Sequence, residues 1–201
     1  IQELLGNEEL TFNEEELQKG YNSFYNKVVK RVIDVAVACV FAIVLLPFYI
    51  TIGLCIAVES GLPVFYRADR GGYKGKSFKI NKFRSMVKNA DKIGGGTTAL
   101  NDSRITRVGA FLRKTKLDEI AQLLNIISGS MSFIGPRPEL LQYTNQYTPL
   151  QKRILNVRPG ITDFSSIEFI NLDELVGADN ADEIYEKYIL EKKNNLRLKY
   201  V

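Results

Sequence analysis

The chain of 201 residues contains no histidine. Any mechanism that needs an imidazole as acid, base or metal ligand is therefore excluded. Cysteine is nearly absent too, with Cys39 and Cys55 alone, both in the most apolar part of the chain. Such thiols behave as small hydrophobes, and without ligand spacing or neighbouring histidines they imply neither a disulfide framework nor a zinc site. Both are expected to stay reduced. No basic leader precedes an early apolar run, so no secretory signal is expected.

Charge is missing over residues 35–58, a run of 24 that passes the usual threshold for a membrane helix. Membrane association follows as an expectation. Pro47 falls at its middle. A straight helix of this length would reach roughly 36 Å, across the hydrocarbon core, whereas two arms broken at the proline would each reach roughly 18 Å, about one leaflet. Flanking charge separates the two: Lys27, Lys30 and Arg31 precede the run, and Arg67, Arg70, Lys74 and Lys76 follow it. The positive-inside tendency places both ends on the cytoplasmic side, which a re-entrant helix-break-helix satisfies. Lys30 and Arg31 stand four and three residues before Asp34, so that carboxylate can enter the interface neutralised.

The remaining charge is uneven. Net charge is +4, yet residues 1–26 hold six glutamates against Lys19 alone and carry −5, which leaves the body at +9. A basic body suits anionic lipid, a phosphorylated substrate or nucleic acid. Nucleic acid is the least favoured, because the cations interleave with an apolar segment and no binding motif is present.

Chemistry concentrates at Asp118-Glu119. Leu117, Ile120, Leu123, Leu124 and Ile127 recur at helical steps, which predicts one amphipathic helix with the acidic pair in its first turn. Thr115, three residues before Asp118, predicts a capping box there. First-turn carboxylates usually do no more than complement the helix dipole. Here Arg113 lies five residues upstream, and Arg137 is set between Pro136 and Pro138, whose fixed φ presents a guanidinium at little entropic cost. Carboxylates with rigid arginines point to metal-assisted phosphate chemistry.

The other stretches are read more coarsely. Residues 64–66 and 77–80 flank Gly71-Gly72 and predict a small hairpin. Lys82-Phe83-Arg84-Ser85-Met86 is a basic-aromatic cluster beside the candidate site or a solvated edge. The glycines at 94–96 lack the Gly-Lys-Ser/Thr of a phosphate-binding loop and read as a mobile loop. Residues 104–116 are basic and helical in pattern, and Arg158-Pro159-Gly160 pins a further arginine at a turn. The expected fold is α+β and mostly helical: an acidic leader at 1–26, a re-entrant membrane helix-break-helix at 27–60, and a compact cytoplasmic catalytic domain at 61–201.

Asp102-x-Arg104-x-Thr106-x-x-Gly109, Leu117-Asp118-Glu119, Gln122, Asn125, Gly129, Met131-Ser132, Gly135-Pro136-Arg137-Pro138 and Arg158-Pro159-Gly160-Ile161-Thr162 together resemble the bacterial sugar transferase family, the monotopic phosphoglycosyl transferases. Lys30-Arg31-x-x-Asp34 and the 82–86 cluster belong to the same likeness, which runs from about Val28 to Thr162. The resemblance implies transfer of a sugar 1-phosphate from a nucleoside diphosphate sugar, usually a UDP-sugar, to polyprenyl phosphate, with undecaprenyl phosphate the expected acceptor. UMP leaves, and glycoconjugate assembly begins. It implies Asp118 as nucleophile, Glu119 as its assistant, and Mg²⁺ bridging Asp118 and the diphosphate. Arg113, Arg137 with its flanking Pro136 and Pro138, Arg158, Lys82 and Arg84 are the implied substrate-binding residues. It places the enzyme at the bacterial inner membrane, with the catalytic domain on the cytoplasmic face.

Several positions depart from the family pattern. Ile120-Ala121 replaces the usual Leu-Pro, Ser130 stands where aspartate is common, and Leu46 rather than serine precedes Pro47. Asp163-Phe164-Ser165-Ser166 replaces the frequent Gly-Leu-Ala/Ser-Gln, which leaves the sugar unassigned. Two other readings stand beside the covalent route. In one, Asp118 only ligates Mg²⁺ while the lipid phosphate attacks directly; in the other, the protein is a membrane-bound scaffold or regulator without turnover.

Overall fold

The structure is a computed structural model that describes residues 23–93, 98, 102–172 and 180–201. The acidic leader up to residue 22 and the glycines at 94–96 lie outside the described residues. The uncharged run forms two helices, α1 (Lys30–Val44) and α2 (Leu46–Ser60), with Leu45 at φ −86°, ψ 1° between them. Pro47 has no N–H to give the Ile43 carbonyl four residues back, and it is tolerated only because it sits in the first turn of the second helix. The arms bend by 61° at this break. Among the described residues no single helix is long and apolar enough to cross a membrane, although the bent pair passes that test together. Cys39 and Cys55, one on each arm, are free thiols.

The architecture is α+β, mostly helical, with two small two-stranded sheets. β1 (Phe65–Gly71) pairs antiparallel with β2 (Ser77–Phe83), Phe65 opposite Phe83 and Gly71 opposite Ser77. These strands run longer than the apolar pattern alone predicts. The connection turns at Lys74 (φ 57°) and Gly75 (φ 72°).

Alternation along β2 divides the core. Ile80 packs with Ala38, Leu123, Ile126 and Met131, while Phe83 packs with Ile52, Ile56, Leu112 and Ala121. Thus α1 feeds one cluster and α2 the other. The Phe83 ring stacks on Phe65 at 5.1 Å and meets the edge of Tyr49 at 5.3 Å. Tyr49 also donates its hydroxyl to the Ile120 carbonyl, which ties α2 to the acidic segment.

That segment differs from the expected single α-helix. α3 (Arg107–Lys114) is capped by Thr106, whose hydroxyl accepts from the Gly109 amide at 2.9 Å. Thr115 closes this helix instead of opening the next: its hydroxyl donates to the Phe111 carbonyl at 2.8 Å. The predicted capping box is therefore absent, and the chain reverses through Lys116 at φ 58°. Residues Leu117–Gln122 form a tight 3₁₀ turn before α4 (Leu123–Ser128). Three residues per turn advance the side chains faster than 3.6, so the apolar stripe slips out of phase. Ala121, Leu123 and Ile126 face inward, and Leu124, expected in the stripe, is 43% exposed.

Polar anchors fix α4 at both ends. The Asn125 amide accepts from Asn81 N at 2.8 Å and donates to the Lys79 carbonyl at 2.8 Å, so it sews the helix to β2. Arg31 donates to the Ile126 carbonyl at 2.7 Å and the Ile127 carbonyl at 3.3 Å, where the helix leaves carbonyls unmet. Among the described residues Lys30 alone makes a salt bridge with buried Asp34, at 3.0 Å, and Ser132 completes it at 2.7 Å.

β3 (Ser132–Ile134) pairs parallel with β4 (Gly160–Thr162). The Gly-Pro-Arg-Pro and Arg-Pro-Gly turns meet at this pair so closely that a Cβ on Gly160 would stand 2.2 Å from the Gly135 nitrogen. Only glycine fits. Short helices α5 (Leu141–Thr144), α6 (Phe164–Glu168), α7 (Ala181–Ile184) and the longer α8 (Leu190–Tyr200) pack behind these turns.

Candidate active site

Asp118 and Glu119 are neighbours with opposite surroundings. Asp118 is 6% exposed, and its carboxylate takes no hydrogen bond from any described residue. Burial pushes its carboxyl above the ordinary value; Lys82 pulls it down, and the Glu119 charge pushes it back up. Glu119 is fully engaged. Lys82 Nζ, at the end of β2, donates to its Oε1 at 2.9 Å, and the Arg137 fork takes both carboxylate oxygens, Nη1 to Oε2 at 3.0 Å. Burial alone would raise the Glu119 carboxyl, but these two cations outweigh it and hold it well below the usual carboxylate range.

Arg137 is itself fixed from several sides. Its Nη1 donates to the Ile161 carbonyl at 2.7 Å as well as to Glu119, and its amide donates to Asp163 Oδ2 at 2.8 Å. A guanidinium carries five donors in a planar fork. Both Nη1 hydrogens and one on Nη2 are thereby used, which leaves Nε and the second Nη2 hydrogen without a partner among the described residues. Those two form the side edge of the fork, the geometry that matches a pair of phosphate oxygens. Arg137 can hold Glu119 and an anion at once.

Arg113, in the last turn of α3, donates from Nη2 to Thr98 Oγ1 at 2.8 Å. Its Nη1 is buried and has no hydrogen-bond partner among the described residues. A buried unmet donor is costly unless an acceptor arrives, and its charge is near enough to pull Asp118 downward. Lys82, Arg113, Asp118, Glu119 and Arg137 therefore form one cluster.

The other expected residues lie elsewhere. Arg84 is buried and faces away, with Nη2 donating to the Ser60 carbonyl and hydroxyl at 2.8 Å each and to Gly61. It clamps the end of α2. Arg158 donates to the Gly129 carbonyl at 3.2 Å and stacks over the Tyr73 ring at 5.1 Å, at the far end of α4 from the acidic pair. Pro136 accepts from the Gly160 amide at 3.1 Å, and with Pro138 it lines a small cavity behind the loop with Thr144 and Tyr147.

The donor set bears on a metal. Among the described residues no group of three or more cysteine, aspartate or glutamate side chains is placed to hold one. A single open carboxylate, Asp118, remains. That fits Mg²⁺, which takes one or two carboxylates and completes its shell with phosphate oxygens and water.

Sequence reasoning gave no role to four residues of this region. Gln122 is fully buried one turn beyond Asp118, and neither amide atom has a partner among the described residues. Asp163, Glu139 and Arg197 lie behind the loop, and only Asp163 carried a local signal: Asp-Phe-Ser-Ser reads as a helix cap, and Asp163 accepts from the Ser166 amide at 2.7 Å.

Comparison with known proteins comes to the same region. The bacterial sugar transferase family profile matches residues 25–200. The chain is 39% identical over 146 residues to a UDP-glucose:undecaprenyl-phosphate glucose-1-phosphate transferase of Escherichia coli (strain K12), covering 71% of this chain and 31% of the relative. It is 36% identical over 144 residues to an uncharacterized sugar transferase of Bacillus subtilis (strain 168), covering 70% and 68%. A UDP-N-acetylgalactosamine-undecaprenyl-phosphate N-acetylgalactosaminephosphotransferase of Aeromonas hydrophila is 34% identical over 142 residues, covering 69% and 34%. The chain thus spans about a third of the length of the first and third of these relatives.

Proposed function

The chain belongs to the bacterial sugar transferase family, and from that premise we propose that it transfers a sugar 1-phosphate from a UDP-sugar to a polyprenyl phosphate, with Asp118 as nucleophile. The observation that carries this reading is the contrast at the acidic pair. Glu119 is locked by Lys82 and Arg137, while Asp118 beside it is buried and open, with the Arg113 Nη1 and the side edge of Arg137 unpaired nearby. One carboxylate organises cations; the other is left to react.

The donor diphosphate would take its hydrogen bonds from the Arg137 edge and from Arg113, which turns its β-phosphorus toward Asp118. An Asp118 oxygen then forms a bond to that phosphorus as the bond to the bridging oxygen breaks, and UMP leaves with the electron pair. A phosphosugar remains on Asp118. A phosphate oxygen of the lipid attacks the same phosphorus, the Asp118 oxygen leaves, and the carboxylate is restored. Asp118 would be the protein group that holds Mg²⁺, which would supply charge neutralisation to the reacting phosphates.

Placement at a lipid surface is part of the proposal. Val40, Ile43, Val44, Leu54 and Val58 are each more than 60% exposed, a surface that water does not favour. Two arms of 15 residues bent by 61°, with both ends at the headgroups, would carry their apex roughly 11 Å deep, inside one leaflet. This supports re-entry, and the basic residues on both sides of the pair favour the cytoplasmic face for the catalytic cluster.

Incubation with Mg²⁺ and a UDP-sugar labelled in the sugar, without lipid acceptor, should leave label on Asp118 that polyprenyl phosphate then discharges. Asp118→Asn should reduce UMP release by at least about 10³-fold, some 4 kcal/mol of transition-state stabilisation. Retention within about tenfold would exclude the nucleophilic role. Turnover without ping-pong kinetics or labelling would favour direct attack, and no turnover with any UDP-sugar would favour the scaffold.

A further inference from the structure

Behind the Gly-Pro-Arg-Pro loop lies a buried set of charges that the proposed chemistry does not touch. Arg197, on α8, is 1% exposed, and it lies between two carboxylates that both belong to the loop's surroundings. Its Nη2 donates to Glu139 Oε1 at 2.8 Å, and its Nε approaches Asp163 Oδ2 at 3.4 Å. Glu139 is two residues beyond Arg137, and its own carbonyl accepts from the Gly71 amide at 3.1 Å. Asp163 Oδ2 is the same oxygen that accepts the Arg137 amide at 2.8 Å.

Two ion-paired sets thus meet at Arg137: its guanidinium joins Lys82 on Glu119, and its main-chain amide joins Arg197 on Asp163, with Glu139 beyond. Neutral groups hold the far end in place. Asn194 accepts from Arg197 Nη1 and from the Tyr147 hydroxyl, both at 3.2 Å, and Tyr185 donates to Glu139. Lys193 lies over the Phe169 and Tyr185 rings at 5.9 and 5.1 Å.

We propose that Arg197 is a positioning residue for Arg137: by neutralising Asp163 and Glu139 together, it keeps the Arg137 side edge aimed at the donor's phosphates. The physical reason is competition for one guanidinium. Without Arg197, Lys193 would still act on Glu139, but Asp163 would lose its guanidinium partner, and the Arg137 guanidinium, whose charge Asp163 already attracts, would be drawn toward these buried carboxylates. Its attraction toward them would pull the fork off Glu119 and turn the open edge away from the substrate. A lysine at 197 keeps the charge but reaches only one carboxylate, because it lacks the planar fork.

The inference rests on the donor-binding role given to Arg137 above, and a probe that needs no turnover separates the two. The affinity of the full chain for UDP with Mg²⁺, read by isothermal titration in detergent, should fall about tenfold in Arg197→Lys. The same substitution in an Arg137→Ala background should change it less than about twofold, because the relay has lost its last member. An equal loss in both backgrounds, or no loss in the parent, overturns the proposal. Asn194→Ala loosens the same guanidinium without changing charge, and it serves if the lysine variant does not fold; a smaller loss that again vanishes with Arg137→Ala is expected, and a loss that persists there is fatal to the relay. A parent that binds UDP but never releases UMP from a UDP-sugar defeats the functional reading alone. A parent that does not bind UDP defeats both.

Discussion

Along α2, Leu54 and Val58 are 62% and 87% exposed, whereas behind the Gly-Pro-Arg-Pro loop Arg197, Asp163 and Asn194 are each 3% exposed or less. Hydrophobic side chains lie outside in the first region and charged ones inside in the second. Water explains neither arrangement. The first is stable where the solvent is hydrocarbon, so that outward leucine and valine lose nothing. The second is tolerable because every carboxylate meets a guanidinium or a hydroxyl, since an uncompensated charge there would cost several kcal/mol. Stability in the first region depends on what surrounds the protein, and in the second on what lies within it.

The sharpest way to break this contrast is to remove one carboxylate from the buried set. Asp163→Ala takes the cap from α6, the acceptor from the Arg137 amide and a partner from Arg197. Unfolding in mild detergent should show a loss of about 3–5 kcal/mol. A loss below about 1 kcal/mol would mean that water already reaches this set. Phe83→Ala removes the ring on which Phe65 and Tyr49 pack beside α2, and should cost about 3–4 kcal/mol by cavity formation.

A smaller effect comes from Lys193. Burial lowers its ammonium, Arg197 lowers it too and Glu139 opposes both, which leaves it at about 8. The unfolded chain keeps that proton until about pH 10.4, so between pH 8 and 10 it binds more protons than the folded chain and stability should rise with pH. Above pH 10 ionisation of Tyr185, whose hydroxyl is raised by burial and by Glu139, reverses the trend. Denaturant midpoints measured across this window should show the rise in the parent and a shallower one in Lys193→Met, because burial lowers the Lys82 ammonium as well. The smallest effect on stability belongs to the outward face of α2. Val58→Asp should change unfolding in detergent by less than about 0.5 kcal/mol, yet reduce the fraction that floats with liposomes. Unchanged flotation would count against a lipid-facing α2.

These regions also differed in how far the sequence disclosed them. The apolar run, its proline and its basic flanks are local signals with strong physics, so two helices and their junction could be read directly. The same holds for Asp118, Glu119, Arg113 and Arg137, which sit in short motifs. Thr115 was misread because the same Thr-x-x-Asp spacing can follow a helix as well as begin one, and only the turn at Lys116 decides between them. Leu124 was placed in the core by assuming 3.6 residues per turn through a segment that winds at three. Arg84 and Lys82 lie two residues apart, and nothing local distinguishes the one that clamps Ser60 from the one that meets Glu119. Arg197 could not be read at all, because its carboxylate partners are 34 and 58 residues away.

Tyr49 ties the bent helix pair to the acidic turn. Its hydroxyl, on the second arm of the bent pair, holds the carbonyl of Ile120, two residues from Asp118. With that arm resting in a leaflet as proposed, thicker acyl chains or higher lateral pressure would tilt it, and the tilt would arrive at the catalytic turn through one hydrogen bond. The bilayer would then act as a setting on the rate of the proposed transfer as well as a place to work.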